Sequence, residues 1–369
     1  MQGIEKKKTK ETILRQPVSP ETTTSKQKGG PSDHFQNVQV VKGINGLDKV
    51  VLRQIRGSSA EVYLYGGQVT SWKNDRGEQL LFVSNKAIFK PPKEIRGGIP
   101  ICFPQFSDFG SLEKHGFARN RMWSIDTNPP PPTTNSPSRA AIDLILKPSK
   151  EDLKIFPHRY ISKCFNGLSL HGDCLLECYV YSIFSFEFRL RVTLGLEGEL
   201  MLTSRIRNAN SDQKPFKFTF AYHTYFSVSD ISEVRVEGLE TLDYLDNMKK
   251  RERFTEQGDA LTFESEVDKV YLSSPTEIAV MDHERKRTFL IRKNGLPDAV
   301  VWNPWDKKSK AMADLGDNGY KHMICIEAAA VEKPIFLKPG EEWIGRQELS
   351  TVPASYYCSE LDPWRVGGS

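Results

Sequence analysis

The sequence predicts an all-β protein built from large antiparallel sheets, and two observations lead to this prediction. Many short segments alternate apolar and polar residues, as strands with one buried face do. Turn-forming Gly, Pro and Asn residues separate these segments, while the periodicity of an amphipathic helix is scarce. No repeat of 20–50 residues stands out, which argues against a β-propeller and favours a sandwich or barrel.

The predicted strands follow one another at short intervals along the chain. In order, they cover residues 49–55, 60–66, 69–74, 79–84, 186–196, 199–208, 216–222, 276–282, 287–293 and 323–329. We expect order to begin near Val38, because residues 1–35 are rich in Lys, Thr, Ser and Pro and lack the apolar side chains that offset the entropy of folding. The sequence therefore predicts a disordered N-terminal tail followed by one large β domain.

The composition argues against several classes of function. Lysine and arginine number 51 against 47 acidic residues, and beyond the lysine-rich start there is no long basic run or zinc-ligand spacing, so no nucleic-acid partner is expected. No apolar run approaches the roughly 20 residues that span a bilayer, and the first residues lack the apolar core of a signal peptide. Six irregularly spaced cysteines indicate free thiols, so a cytoplasmic protein without a membrane partner is expected.

Two loops rich in Gly, Pro and cationic residues are candidates for binding an anion. Residues 96–106 read RGGIPICFPQF, an irregular backbone that lets a ligand approach closely. Residues 114–119 read KHGFAR, in which His115 and Arg119 would share a face if the segment were a strand. Arg96 and Arg119 would offer guanidinium groups to a phosphate. Taken alone, each loop also fits a simple turn with solvated cations.

A histidine and a glutamate stand on predicted strands that are far apart in the sequence. His223 lies within FAYHTYF, a half-buried setting in which an imidazole pKa can lie near neutrality for acid–base work. Glu327 lies in the apolar strand MICIEAA, where loss of water would raise the carboxyl pKa and make the carboxylate a stronger base. The alternatives are a hydrogen-bonded core histidine and a structural glutamate.

Two further segments offer groups that suit a sugar. Asp268, in VDKVY, can accept hydrogen bonds from sugar hydroxyls, and Trp302, in VWNPW, can stack on a pyranose ring. A turn aspartate and a core tryptophan are the simpler interpretations.

Together, these segments resemble the hexose-6-phosphate branch of the aldose 1-epimerase family. The order RGGIP, HGFAR, HTYF, VDKVY, VWNPW and CIEAA is typical of that family, and the resemblance covers roughly residues 36–350, leaving 351–369 as a C-terminal tail. It implies a galactose-mutarotase-like β-supersandwich of antiparallel sheets. It also implies an enzyme that interconverts the α and β anomers of a hexose 6-phosphate, a reaction that needs no cofactor or metal. The sequence does not determine the oligomeric state, and a monomer is expected.

The resemblance implies roles for individual residues. His223 and Glu327 would be the catalytic pair: Glu327 takes the proton of the C1 hydroxyl and His223 protonates the ring oxygen, so that the ring opens. Arg96 and Arg119 would bind the phosphorylated sugar. The family usually has glutamine where this chain has Lys114, although a lysine can also reach a phosphate. The other residues expected to bind substrate are Lys114, His115, Asp268 and Trp302.

Three alternative functions fit parts of the same pattern. A catalytically silent sugar-phosphate binding module would not need both His223 and Glu327. A glycoside hydrolase usually needs two carboxylates, and only Glu327 stands out as a strong candidate. An epimerase of free aldoses would not need the pair Arg96 and Arg119.

Residues 159–184 interrupt the resemblance. In similar proteins a Pro–His dipeptide runs almost directly into the strand that begins SFEF, whereas here this 26-residue segment intervenes and carries three of the six cysteines. Codons for Arg159-Tyr160 and for residues 183–185 can spell splice-donor-like and splice-acceptor-like sequences, so we hypothesise a retained intron. A genomic exon that runs through the segment without a boundary would end this idea. A genuine insertion is the alternative, and a zinc site is disfavoured by the cysteine spacing.

Overall fold

The computed structural model describes the central part of the chain. Described are residues 37–131, 139–149, 152, 158–163, 177–182, 185–210 and 214–354, with the backbone alone for 158–163 and 177–182. The predicted N-terminal tail lies outside the described residues, as does the predicted C-terminal tail from residue 355 onward. Residues 164–176 and 183–184 of the predicted insertion lie outside them as well.

Strands account for most of the regular structure in these ranges. In chain order they are β1 (Val38–Lys42), β2 (Asp48–Arg53), β3 (Ser59–Tyr63), β4 (Gln68–Lys73), β5 (Ile101–Cys102), β6 (Ser124–Ile125), β7 (Ala140–Leu146), β8 (His158–Lys163), β9 (Glu177–Ser182), β10 (Phe186–Leu194), β11 (Leu200–Asn208), β12 (Phe216–Ser227), β13 (Val234–Glu237), β14 (Asp243–Asp246), β15 (Glu252–Thr255), β16 (Val267–Tyr271), β17 (Glu277–Asp282), β18 (Arg287–Asn294), β19 (Asp298–Asn303), β20 (Met323–Leu337) and β21 (Glu342–Pro353).

Helical structure in the described residues is short. The α-helix α1 spans Trp305–Ala311. Single 3-10 turns occupy Ile44–Gly46, Ala118–Asn120, Ile231–Glu233, Asn247–Lys249 and Gly319–His322. None of the helices described is both long and apolar enough to cross a membrane.

Antiparallel pairing arranges the strands into three main sheets. The first contains β1–β4 in sequence order, the second has the order β13-β17-β18-β21-β11-β10-β7-β6, and the third has the order β15-β14-β16-β19-β20-β12-β5. Strands β8 and β9, which cover parts of the predicted insertion, form a separate antiparallel ribbon. The prediction of an all-β protein with antiparallel sheets is confirmed.

The core lies between the eight-stranded and the seven-stranded sheet. The Tyr222 hydroxyl on β12 donates to the Ser204 hydroxyl on β11 at 2.6 Å, which joins the two sheets. The ring of Phe188 on β10 packs edge-on against Phe220 on β12, with centroids 6.0 Å apart. Removing these apolar faces from water is the main force that holds the two layers together.

Side-chain alternation gives the seven-stranded sheet two different faces. Along β12, Tyr222 is part of the core, and Thr224 bonds Gln347 of the eight-stranded sheet. Successive strand residues point to opposite sides, so His223 and Tyr225 face away from that core. This outer face carries the candidate site.

Strands are present at nine of the ten predicted positions, but residues 79–84 do not form one. This segment makes isolated bridges, such as Leu81 to Phe226 and Val83 to Gly97. It runs between the end of β12 and the glycine loop. The Phe82 amide donates to the Tyr225 carbonyl on one side, and the Phe82 carbonyl accepts from the Gly98 amide on the other. Bonding to two partners in turn prevents the continuous ladder that its alternating pattern predicts.

Candidate active site

Four neighbouring strands place the candidate acid and base side by side. Strands β12 and β20 pair in register, so His223 stands directly opposite Glu327. His223 Nε2 lies 3.3 Å from Glu327 Oε1. The next row on this face contains Tyr225, Trp302 and Asp268, from β12, β19 and β16. Cross-strand register therefore brings together residues that are far apart in the chain.

The glycine loop predicted at residues 96–106 runs beside β12 and positions Arg96. The Tyr225 amide donates to the Gly98 carbonyl at 2.9 Å, which ties the loop to the strand. Gly98 has φ +65, and a Cβ atom there would lie 2.1 Å from the Val69 carbonyl oxygen. Only glycine permits this close approach of two backbones.

The KHGFAR segment is not a strand, so the shared strand face considered for it is wrong. His115 has a left-handed backbone with φ +66, and Arg119 belongs to the 3-10 turn Ala118–Asn120. Gly116 passes so close to Phe103 that a Cβ atom would lie 2.3 Å from its carbonyl oxygen. This tight turn, rather than strand alternation, directs His115 and Arg119 toward the same cavity.

All of the predicted site residues line one cavity of about 120 Å³. They are Arg96, Lys114, His115, Arg119, His223, Asp268, Trp302 and Glu327. The cavity wall also contains residues that the sequence did not single out: Glu94, Phe106, Ser107, Asn247, Val300, Lys308 and Met312.

Burial controls the protonation of the central pair. It raises the pKa of Glu327 well above its usual value, and the negative charge of Asp268 adds to the effect. Burial likewise lowers the pKa of His223 well below its usual value, helped by the charges of Arg96 and Arg119. Both shifts favour a protonated carboxyl beside a neutral imidazole, so the pair holds one transferable proton.

One oxygen of the central carboxyl has no partner in the described structure. Glu327 Oε2 is buried and forms no hydrogen bond with any described residue. A buried polar atom left in this way costs free energy, which a hydroxyl group of a bound ligand would recover.

His115 is held as a neutral hydrogen-bond donor. The Ser107 amide donates to its Nδ1 at 3.2 Å, and Cys102 Sγ lies 3.3 Å from the same atom. Burial lowers the pKa of His115 well below its usual value, and positive charge on His223 would lower it further. With Nδ1 accepting, the neutral ring carries its proton on Nε2 and can donate it to a ligand oxygen.

The two arginines of the cavity differ in how their charges are balanced. Arg96 donates through Nε to Asp314 at 3.1 Å and through Nη2 to Glu94 at 3.3 Å. Arg119 donates to the Lys114 carbonyl at 2.7 Å and lies 3.9 Å from Glu94, while its Nε has no partner among the described residues. Arg96 is therefore fixed by two carboxylates, and Arg119 keeps a donor free.

Two aromatic rings fix the orientation of the His223 imidazole. Tyr225 stacks on His223 with ring centroids 4.7 Å apart and planes at 9°. The Tyr225 hydroxyl also accepts a hydrogen bond from Arg96 at 3.2 Å, and Trp302 meets the imidazole edge-on at 5.8 Å. Side chains two residues apart on a strand share a face, so the position of Tyr225 two residues after His223 was a sequence signal that could have identified it.

The fold and the cavity define an all-β enzyme centred on a buried carboxyl and imidazole. The model of the family described as aldose 1-epimerase matches residues 48–183 and 177–350. A Cenchrus ciliaris protein named "Putative glucose-6-phosphate 1-epimerase" is 65% identical over 328 residues, which cover 89% of this chain and 92% of that protein. The chain belongs to the aldose 1-epimerase family and is therefore an isomerase.

Solved structures confirm the predicted galactose-mutarotase-like fold. A "putative mutarotase" from Salmonella typhimurium superposes with a TM-score of 0.67 at 23% identity, covering 86% of this chain and 97% of that one. A galactose mutarotase-like protein from Clostridium acetobutylicum gives a TM-score of 0.61 at 18% identity, with coverage of 86% and 98%. The family match is divided within residues 159–184, the segment predicted as an insertion.

Proposed function

We propose that this epimerase interconverts the α and β anomers of a hexose 6-phosphate. The observation that carries the proposal is the 3.3 Å contact between His223 and Glu327 in a buried cavity lined by cations. An anomer cannot invert without opening of its ring, and opening needs one group that accepts a proton and one that donates a proton.

The proposed reaction proceeds through the open-chain aldehyde. Glu327 removes the proton of the C1 hydroxyl while His223 protonates the ring oxygen, and the C1–O5 bond breaks. Rotation about C1–C2 exposes the other face of the aldehyde. The O5 hydroxyl then attacks C1 while both protons return, which closes the ring as the opposite anomer.

The pair carries the same number of protons before and after ring opening. Transfer of the shared proton from Glu327 to His223 across their 3.3 Å contact gives the reactive form, a carboxylate beside an imidazolium, and ring opening returns the carboxyl group of Glu327 beside the neutral ring of His223. Burial disfavours both charges, so the cavity stabilises the form that is reached when the ring opens. Ring closure then runs the same transfers in reverse, without exchange of protons with solvent.

The polar lining suits the remaining atoms of the sugar. Burial raises the pKa of Asp268, which accepts a hydrogen bond from Asn247 at 2.7 Å and can accept another from a hydroxyl. His115 donates from Nε2, and Trp302 offers an apolar edge. Arg119, with its free donor, would hold an oxygen of the phosphorylated sugar, and this remote binding orients C1 toward the pair.

Exchange NMR of the purified protein tests the proposal. Cross-peaks between α and β anomers should intensify with glucose 6-phosphate and far less with galactose, in protein with and without residues 159–184. Faster exchange of galactose would favour the free-aldose epimerase. Binding of glucose 6-phosphate without exchange would favour the silent binding module.

We propose further that the enzyme acts as a monomer in the cytoplasm. A single chain supplies every residue that lines the cavity. Cys102 and Cys325 are buried free thiols, which suit a reducing compartment. Light scattering of the purified protein and microscopy of a fluorescent fusion test the two statements.

A further inference from the structure

A second and wider cavity of about 370 Å³ adjoins the catalytic one. The two share Ser107, Lys114, Asn247 and Asp268 in their walls. The outer cavity is bounded by two loops, one that carries Phe109 and one between β14 and β15. A ligand in the catalytic cavity can therefore extend into the outer one.

Three cations line the outer cavity without a carboxylate partner. Lys114, Lys250 and Arg251 form no ion pair with any described residue. Arg96, in the inner cavity, already bonds Glu94 and Asp314. An anion that binds at Arg96 must compete with Glu94 and Asp314. An anion that binds at the outer cations competes with no paired carboxylate.

The outer cavity also contains two carboxylates, and both are already engaged. Asp268 accepts from Asn247 at 2.7 Å and lies 3.8 Å from Lys308. Asp108 accepts from the Ser107 hydroxyl at 3.1 Å. Three free cations therefore face two carboxylates that have partners, and the balance favours an anionic group.

The basic turn is held in an unusual conformation. Lys250 and Arg251 are consecutive residues with left-handed backbones, at φ 55 and 64. This conformation is unfavourable for residues other than glycine, so the surrounding structure must enforce it. The Arg251 guanidinium lies 4.3 Å from the ring centroid of Phe109, which is half exposed on the facing loop. This contact joins the two loops across the mouth of the cavity.

We infer that the outer cavity is the subsite for the phosphate group of the substrate, with Lys250 and Arg251 as its specificity-determining residues together with Lys114. The inference rests on the proposed function, which places C1 beside the buried acid–base pair. The phosphate on C6 is remote from C1, and the outer cavity, which adjoins the catalytic one, supplies cations beyond the wall that the two cavities share. A dianionic phosphate gains charge-assisted hydrogen bonds there while staying in contact with solvent.

Binding of glucose 6-phosphate and of glucose, measured by NMR titration of the full-length protein, tests this subsite. In Lys250→Gln and Arg251→Gln the ratio of the two affinities should fall about tenfold each, as expected for loss of one charge-assisted contact. The matched control is Lys249→Gln, from the same turn, because Lys249 packs over the Phe254 ring and lines neither cavity. The Lys249→Gln control should keep the wild-type ratio of the two affinities. Added salt should lower this ratio to the same extent in the control and in the wild type.

The outcomes separate this inference from the proposed function. Wild-type ratios in both glutamine variants would overturn the phosphate subsite, even if the enzyme epimerises glucose 6-phosphate. The subsite would be overturned as well if the ratio of affinities fell no further in Lys250→Gln and Arg251→Gln than in the Lys249→Gln control. A selective fall in a protein that shows no anomer exchange would sustain the subsite and overturn the proposed activity.

Discussion

Replacing Glu327 with glutamine tests the proposed base without changing the shape of the cavity. The carboxyl is 1% exposed, and its Oε1 lies 3.3 Å from His223 Nε2. An amide keeps this geometry but cannot accept a proton from the C1 hydroxyl. A positioned acid–base group contributes about 10²–10⁴-fold in rate, or about 3–5 kcal/mol in the barrier. We therefore expect exchange of glucose 6-phosphate anomers to slow by that factor.

The assay must distinguish a slower reaction from a loss of folded protein. Because burial already favours the uncharged form of Glu327, a neutral glutamine should leave thermal stability and binding of glucose 6-phosphate close to wild type. Exchange NMR gives the rate, a titration gives the affinity, and thermal unfolding gives Tm. A rate within tenfold of wild type, in a variant with unchanged Tm, would refute the assignment of the base.

Three further predictions concern binding, pH and stability. Arg119→Ala should weaken binding of glucose 6-phosphate far more than binding of glucose, because Arg119 holds the backbone of Lys114, which lines the proposed phosphate subsite; equal losses in a titration would argue against this role. For an unphosphorylated sugar, the pH dependence of the exchange rate should follow the shifted pKa values of His223 and Glu327. The rate should fall below the lowered pKa of His223, where the pair gains a second proton, and above the raised pKa of Glu327, where the pair has none; a fall on the acid side centred at or above the usual pKa of histidine would contradict the lowered pKa of His223. Gly98→Ala should lower the free energy of unfolding by about 1–3 kcal/mol, because φ is +65 and the new Cβ meets a backbone oxygen at 2.1 Å. A urea denaturation midpoint equal to that of the wild type would contradict this prediction.

The sequence predicted the fold class and eight of the residues that line the cavity, because strands and motifs are both visible as local patterns. Alternation marks strands, and each motif carries its chemical group at a fixed place within it. The same alternation should have identified Tyr225, which lies two residues after His223 on one strand. The pattern did not specify the local conformation of two segments. KHGFAR is a tight turn, and residues 79–84 make only isolated bridges.

The partners of the cationic groups could not be predicted from the sequence. Asp314, which fixes Arg96, is more than two hundred positions away and has no surrounding motif. Lys250 and Arg251 resemble an ordinary charged turn until the fold places them across from Phe109. Tertiary contacts decide whether such a charge is balanced, and single-sequence patterns carry no information about those contacts.

The proposed acid–base pair and the proposed phosphate subsite lie on different parts of the fold. His223 and Glu327 stand on paired central strands, where the hydrogen-bond ladder and the core fix their separation. Lys250 and Arg251 stand in a surface turn between β14 and β15, outside the ladder that joins β12 and β20. Changes in such a turn can add or remove cations without disturbing the separation of the acid and the base. Under the proposed function, surface turns of this sandwich would set the preference for phosphorylated or free sugars, while the paired strands keep His223 and Glu327 in place.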